Sequence, residues 1–373
     1  MNVKNPFPVS DYISPAYFCD REEETKKLVS AIEGGRNVAM LSIRRMGKTT
    51  LIKHLMDKIS DWKGYKFLYF DVLPSSNMSD FVRIFSNAII RDASKKKNFI
   101  RKISGFLASL HAKLVFDQVS GVPSVEFDFK NEKESTLSLG KIFEYLANQK
   151  ETYVIAIDEF QQIVSYTEKN VEATLRSYIQ KQHKDVFIYS GSSKHMMISM
   201  FGTYSRPFYQ SSDVFELNPI EKSVYVGFIE NMFRARNKNI DKALIETYID
   251  NYHCHTFYVQ YFFNRLFEKS GKNVNKSDFE PVAEMILKER ETVFYNYRNL
   301  LSDLQFRFLI ALAKEGGTTQ INAGSFIQKH KLSLPSSVNA AAKTLLEKEM
   351  IYKDKNKYMI YDVFFEKWLV KTF

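Results

Sequence analysis

Four short apolar runs punctuate the first half of the chain, at 38–43, 67–72, 153–157 and 186–189. Each is rich in β-branched or aromatic residues, and none alternates strictly with polar ones. That is the pattern of strands buried on both faces. Apolar positions three and four apart follow them at 48–59 and 79–91 and predict amphipathic helices. Strand and helix in alternation predict an α/β domain whose parallel sheet is joined by right-handed crossovers. Between the second and third strands lies an insertion, at about 93–135, holding a helical pattern and then a hairpin. The hairpin strands would be 114–117 and 125–129, around Gly121-Val-Pro123.

After Asn218-Pro219 the strand signal disappears. The spacing predicts helices over 224–237, 242–250 and 257–269, and a fourth from Phe279. The last section differs. Helical patterns at 302–314, 323–330 and 336–348 are followed by Met350-Ile-Tyr-Lys and Tyr358-Met-Ile-Tyr, which flank Asp354-Lys-Asn356 as a small hairpin. Three helices and a hairpin are the pattern of a winged helix-turn-helix. The expected domains are therefore 1–218, 219–297 and 298–373, with no internal repeat and no low-complexity linker between them.

Composition narrows the class. The chain has 373 residues, 45% of them hydrophobic and 26% charged, enough to bury sizeable cores in two or three domains. No run of 18 apolar residues occurs, which excludes a membrane-spanning helix, and residues 1–6 lack the apolar stretch of a secretory signal. Two cysteines, Cys19 and Cys254, cannot build a disulfide scaffold or a four-ligand zinc site, so a cytoplasmic location is expected. His253-Cys254-His255 offers three ligands with no partner cysteines nearby, and no zinc site is expected there. The net charge of +10 permits an acidic partner without requiring one. Lys95, Lys96, Lys97, Arg101, Lys102 and Lys113 fall within 94–114, where no acid occurs. Phe99, Ile103, Phe106, Leu107, Leu110 and Leu114 recur there at helical spacing. The stretch reads either as a solvated face on a core-packed helix or as a docking surface for nucleic acid or protein.

The most informative segment is Val38-Ala-Met-Leu-Ser-Ile-Arg-Arg-Met-Gly-Lys-Thr-Thr50. It runs from a buried strand through a turn into a helix and matches the second half of the phosphate-binding motif G-x-x-x-x-G-K-[ST]. Ser42 stands where that motif has its first glycine. Gly47 lets the backbone approach phosphates, and the N–H groups opening the helix, from Met46 to Thr50, point at the anion. Lys48 reaches the β- and γ-phosphates, and the Thr49 hydroxyl ligates Mg²⁺. Arg44 and Arg45 either add charge near the phosphates or face solvent. A second motif, Tyr153-Val-Ile-Ala-Ile-Asp-Glu-Phe-Gln161, delivers two acids at the carboxyl end of a strand, where ligands bind in open α/β sheets. Asp158 would hold Mg²⁺, and Glu159 would orient or activate the attacking water. The next strand ends Phe187-Ile-Tyr-Ser-Gly-Ser-Ser193, where Ser192 or Ser193 either touches the γ-phosphate or caps a helix. Arg206 follows in a loop as a candidate γ-phosphate sensor or arginine finger.

With these motifs the chain resembles the prokaryotic P-loop ATPases of the AAA+/STAND type, often described as archaeal-type ATPases. The resemblance covers nearly the whole length. It includes Phe18-Cys-Asp-Arg-Glu-Glu-Glu24, similar to an F-x-x-R-E-x-E segment near the adenine, which implies a nucleotide-binding place for Arg21. It includes Cys254-His-Thr-Phe-Tyr-Val-Gln260, at the place of the family's G-h-P lid motif and its Y-x-Q, where the Gly and the Pro are both replaced and a lid sensor would fall at His255. The implied architecture is a P-loop NTPase core, a helical lid and a winged helix. The implied activity is an ATP-dependent switch using ATP, ADP and Mg²⁺.

Two outputs are open. One is contact with a protein partner or self-association through the winged helix. The other is ATP-regulated nucleic-acid binding through the winged helix and the basic insertion. A major-groove reader wants Arg, Asn or Gln at the exposed start of its third helix, and only Asn339 and Lys343 qualify, with Ser336 and Ser337 able to meet phosphate. Residues 301–373 carry about eleven bases and seven acids, with Lys353, Lys355 and Lys357 in the wing. The balance favours nonspecific or no DNA contact. A chain that binds nucleotide without turnover is a third reading, against which the paired Asp158 and Glu159 argue.

Overall fold

Five parallel strands carry the first of two units into which the chain divides, Asp11–Asn218. The computed structural model describes residues 4–94, 99–119 and 121–373. In chain order the first unit contains α1 (Glu22–Glu33), β1 (Val38–Leu41), α2 (Lys48–Ile59), β2 (Tyr65–Asp71), α3 (Met78–Ser94), α4 (Phe99–Ser109), β3 (Lys113–Phe116) and β4 (Pro123–Glu126). It continues with α5 (Glu132–Ala147), β5 (Thr152–Asp158), α6 (Val171–Ile179), β6 (Val186–Gly191), α7 (Lys194–Gly202) and β7 (Asp213–Glu216). The main sheet has the order β2-β5-β6-β1-β7. Each parallel pairing needs a crossover, and the helices supply it.

Alternate residues of the strands feed two cores. Val38, Met40, Val154, Ala156, Val186 and Ile188 pack with Leu28 and Ile32 of α1 and Leu51, Ile52 and Leu55 of α2. On the other face Ala39, Leu41, Ile155, Ile157, Phe187 and Tyr189 join apolar residues of α3, α5, α6 and α7. The four apolar runs thus become β1, β2, β5 and β6, and the helix expected at 48–59 is α2 with the same bounds. β7 went unread because Asp213-Val-Phe-Glu216 lies at the sheet edge, with Asp213, Val214 and Glu216 exposed. A half-wet strand carries little apolar signal.

In the insertion α4 buries Ile103, Phe106 and Leu107, with Leu110 just beyond it, which is the core-packed reading of the basic stretch. Leu114, counted in the helical spacing, belongs instead to β3, which pairs with β4 as an antiparallel hairpin. The hairpin is tied to α3 where Val125 N donates to Asn87 Oδ1 at 2.8 Å. Lys95, Lys96 and Lys97 lie outside the described residues.

The second unit holds α8 (Lys222–Arg234), β8 (Asn239–Ile240), α9 (Lys242–Asn251), α10 (Thr256–Lys269), β9 (Asn273–Val274) and α11 (Lys276–Asn299). It goes on through α12 (Asp303–Glu315), α13 (Gly324–Lys329), α14 (Pro335–Glu347), β10 (Ile351–Asp354), β11 (Lys357–Ile360) and α15 (Val363–Thr372). Two features correct the sequence pattern. The section expected to be helical only contains a two-residue parallel pairing of β8 with β9. The winged helix ends in α15, whose Val363, Phe364, Phe365, Trp368 and Leu369 are all buried. A helix buried almost all round lacks the polar face that makes its period visible. In the wing hairpin Lys355 and Asn356 both have positive φ, 43° and 68°, the type I′ turn that suits a two-residue connection.

Residues 4–10 pack with this second unit rather than with the sheet. Phe7 is fully buried among Phe228, Phe233, Phe263 and Phe267, and Asn5 and Asn264 exchange side-chain bonds with each other's neighbourhood. Among the described residues no helix is long and apolar enough to cross a membrane.

Asp185, just before β6, is 4% exposed and accepts a hydrogen bond from Tyr153 N at 2.8 Å. Burial pushes its carboxyl above the ordinary value, against the pull of that bond and of Lys184. The folded state therefore holds this proton more tightly than the unfolded chain, so the buried charge costs stability above the raised value and the cost fades as pH falls through it. Asp185→Asn keeps the acceptor and removes the charge. It should raise the melting temperature at pH 7 by about 2–4 °C, with the gain shrinking towards pH 4. Equal gains at both pH values in thermal melts would remove charge burial as the cause.

Candidate functional site

The carboxyl ends of β1, β5 and β6 meet at residues 42–49, 158–161 and 190–192. Ser42 is fully buried, and its Oγ donates to the Ile43 carbonyl at 2.8 Å, so a small hydroxyl fits where the motif has glycine. Gly47 caps α2 at φ 94°, a left-handed conformation that a side chain would strain. The first N–H groups of α2 then have no partner within the helix, which makes this end a place for an anion. Arg44 and Arg45 are exposed, while Met46 between them and Gly47 is buried. Thr50, one turn into the helix, is half-buried.

Lys48 is 5% exposed, and its Nζ donates to the Ile43 carbonyl at 3.0 Å. Burial brings its ammonium down to about 8, against the raising effect of Glu159 and Asp158. Thr49 Oγ1 donates to Asp158 Oδ2 at 2.6 Å. Asp158 is 2% exposed and accepts three further bonds: from Tyr69 OH at 3.1 Å, Ser190 Oγ at 2.7 Å and Glu159 N at 3.1 Å. Asp71 stands opposite it in the β2–β5 register. Burial pushes the Asp71 carboxyl up, and the charges of Asp158 and Glu159 add to the rise.

Glu159 follows in a left-handed conformation, φ 54°, which turns the chain out of β5. Its Oε2 accepts from Ser192 Oγ at 2.6 Å, Ser192 N at 3.3 Å and Gln161 Nε2 at 2.5 Å. Arg44 Nε reaches the same Ser192 hydroxyl at 3.4 Å. Thr49, Asp158, Glu159, Ser192 and Arg44 are thereby brought into one network, with the Lys48 ammonium near enough to feel the charges of Glu159 and Asp158.

Two further predicted residues have other neighbours. Arg206 pairs with Glu172 of α6 at 2.6 Å. His255 sits at the N-cap of α10 in the second unit, with its ring edge-on to Tyr258 at 4.7 Å. His253 pairs with Glu366 of α15 at 2.9 Å. Arg21 touches the loop from another side: its guanidinium donates to the Met46 carbonyl. The sequence reading missed Tyr69 and Ser190, which hold Asp158, and left Gln161 without a role. Ser190 had a signal, as a polar residue inside an apolar strand. Tyr69 had none, since a tyrosine in a strand is an ordinary core residue.

The donors here are hard oxygens, one carboxylate and one hydroxyl beside a helix N-terminus. Among the described residues no three His, Cys, Asp or Glu side chains stand together as a metal cage. A cation at Asp158 and Thr49 would complete its shell with water and ligand oxygens, a donor set that suits Mg²⁺.

The model of a family described as an ATPase domain predominantly from Archaea matches residues 18–250. A second, described as a probable winged helix domain, matches residues 292–371. No curated protein matches the chain. Among solved structures, a Walker-type ATPase of Pyrococcus abyssi superposes with a TM-score of 0.66 at 17% identity, covering 98% of this chain and 99% of that one. The ORC2 protein of Aeropyrum pernix, solved in ADPNP–ADP complexes, gives 0.63 at 14% identity over 99% and 96%. The ORC1 protein of the same organism, solved in complex with DNA, gives 0.54 at 12% identity over 99% and 97%. At such identities the likeness to these structures is one of fold.

Gly191 closes the site from below. A Cβ there would run into Gln161 Oε1 and come within 2.6 Å of Met197. Gly191→Ala should lower stability by about 1–3 kcal/mol through overpacking, read from the denaturant midpoint. An unchanged midpoint would mean that Gln161 has room to move.

Proposed function

Because the chain belongs to the ATPase domain family found predominantly in Archaea, we propose that this ATP-binding ATPase is a slow, Mg²⁺-dependent switch of the AAA+/STAND type. The observation that carries the reading is the convergence of Thr49, Asp158 and Glu159 in one hydrogen-bonded edge, beside the buried Lys48 ammonium held on the Ile43 carbonyl. Lys48 and the N–H groups opening α2 bind the β- and γ-phosphates. Thr49 and Asp158 hold Mg²⁺, which when bound neutralises charge on the phosphate oxygens. Glu159 takes a proton from the water that attacks the γ-phosphorus, as the bond to the bridging oxygen breaks and ADP leaves. Ser192 stands beside the γ-phosphate, with Arg44 and Arg45 adding positive charge. Arg206, on its own loop, serves as an arginine finger once freed from Glu172.

Slow turnover is supported by the state of Glu159. Its Oε2 is engaged by Ser192 and Gln161, so a proton from water goes to Oε1 or waits for those bonds to open. The switch output we assign to contact with a protein partner or with further copies of the chain.

Nucleic-acid binding is the second reading, favoured by Lys353 and Lys355, exposed on the wing, and by exposed Lys343 on α14. Asn339, the other candidate base reader, is occupied: its Oδ1 accepts from Asn322 Nδ2 at 2.9 Å. Phosphate contact without base reading follows from that pattern.

Lys48→Ala should weaken ATP binding by at least about a hundredfold in a fluorescence titration, on the scale of lost charge-assisted bonds to phosphate. Undiminished affinity would refute the loop assignment. Glu159→Gln should keep ATP affinity and lose turnover by about 10²–10⁴-fold; steady-state rates that match the natural protein would take Glu159 out of the chemistry. Duplex DNA added to the same assay decides the output. Salt-sensitive stimulation would favour the second reading, and indifference the first.

A further inference from the structure

Arg21 is a buried cation with three acceptors. Its guanidinium is 4% exposed. One terminal nitrogen donates to Glu24 Oε1 at 2.8 Å and to the Asn218 carbonyl at 2.6 Å; the other donates to the Met46 carbonyl at 3.3 Å. Met46 precedes Gly47 in the phosphate-binding loop. Asn218 is the last residue of the sheet unit, and Pro219 opens the second. One planar group thus ties the loop to the point where the chain leaves the sheet. The backbone that presents it is unusual: Asp20 and Arg21 are both left-handed, at φ 58° and 67°. Few non-glycine residues take that conformation, and it persists only where the surroundings hold it.

The peptide between Met46 and Gly47 is planar, with its oxygen and its N–H pointing opposite ways. A donor on the oxygen therefore fixes the direction of the Gly47 N–H and polarises it toward an anion. The reverse also holds. An anion that turns the N–H turns the oxygen, and with it the guanidinium that holds Asn218. Leu217 N donates to the Leu41 carbonyl at 2.8 Å, so the exit is still anchored to β1 one residue earlier. Asn218 is where the hold passes from the sheet to Arg21.

We propose that Arg21 is a positioning residue that couples the phosphate-binding loop to the Asn218–Pro219 exit, tightening the exit when phosphate occupies the loop. The inference rests on the reading of residues 42–49 as an ATP site. Lysine cannot replace it, because an ammonium has charge but no fork to serve the loop and exit carbonyls together.

Hydrogen exchange of the full chain tests this, following the amides of Asn218, Ile220 and Glu221 with and without saturating Mg-ADPNP. In the natural protein the nucleotide should slow their exchange about tenfold, the scale of one hydrogen bond to a charged group. In Arg21→Lys the ratio should fall below about twofold at ADPNP concentrations raised until the variant is saturated. An arginine that only stabilised the fold would lower the melting temperature of the Lys variant and leave that ratio unchanged, and this result would overturn the proposal. So would ADPNP binding to the natural protein with no slowing at the exit, a result that needs no variant to fold. If the natural protein bound no ADPNP at all, the ATP-site reading would fall and the coupling with it; binding without coupling sinks the coupling alone.

Discussion

A carboxylate at 2% exposure is the constraint around which the sheet edge is organised. Left unpaired, Asp158 would cost several kcal/mol of desolvation. Four donors from four different places satisfy it: the Thr49 hydroxyl from α2, Tyr69 from β2, Ser190 from β6, and the N–H of its own neighbour Glu159. Each bond also pins the element that supplies it. β5 cannot shift without breaking them, and the register of β2, β5 and β6 at the carboxyl edge is set partly by this one group. The left-handed turn at Glu159 follows, because the chain must leave β5 while its N–H stays on Asp158.

What could be read from the sequence was whatever apolar periodicity or a dense motif announces. β1, β2, β5 and β6 were legible because their apolar residues feed the cores on both faces of the sheet, and α2 because Leu51, Ile52, Leu55 and Ile59 form a regular apolar stripe. β7 and α15 were not, for opposite reasons. The first is too exposed to carry an apolar run, and the second too buried to show a polar face. At the site, the residue types that do chemistry were visible, while those that hold them were mostly not. Tyr69 and Ser190 became part of the site only through the pairing of strands far apart in sequence. Arg21 was noticed through family likeness, but its contacts with Met46 and Asn218 belong to loop geometry that no spacing encodes.

The second unit shows how a helical bundle and a winged helix can share one core. Tyr252 of the bundle packs edge-on to Phe364 of α15, Tyr258 OH donates to the Tyr361 carbonyl, and Arg290 of α11 lies over the Tyr261 and Phe364 rings. Phe294 of α11 meets Phe365 and Trp368. Most of these contacts are aromatic, and two acid–base pairs, His253 with Glu366 and Glu284 of α11 with Lys371 of α15, span the same two parts. Interlocked rings of this kind resist sliding, because each has a preferred tilt to its neighbour.

α11 gives that shared core a mechanical meaning. Its 24 residues make a rod about 36 Å long. α10 and α15 both grip its middle, where Arg265 of α10 pairs with Glu289 and Lys371 of α15 with Glu284. A tilt of about 10° applied at one end would carry the other by about 6 Å over such a length. The wing hairpin stays with the bundle through such a turn, because Tyr258 of α10 holds the Tyr361 carbonyl beside β11.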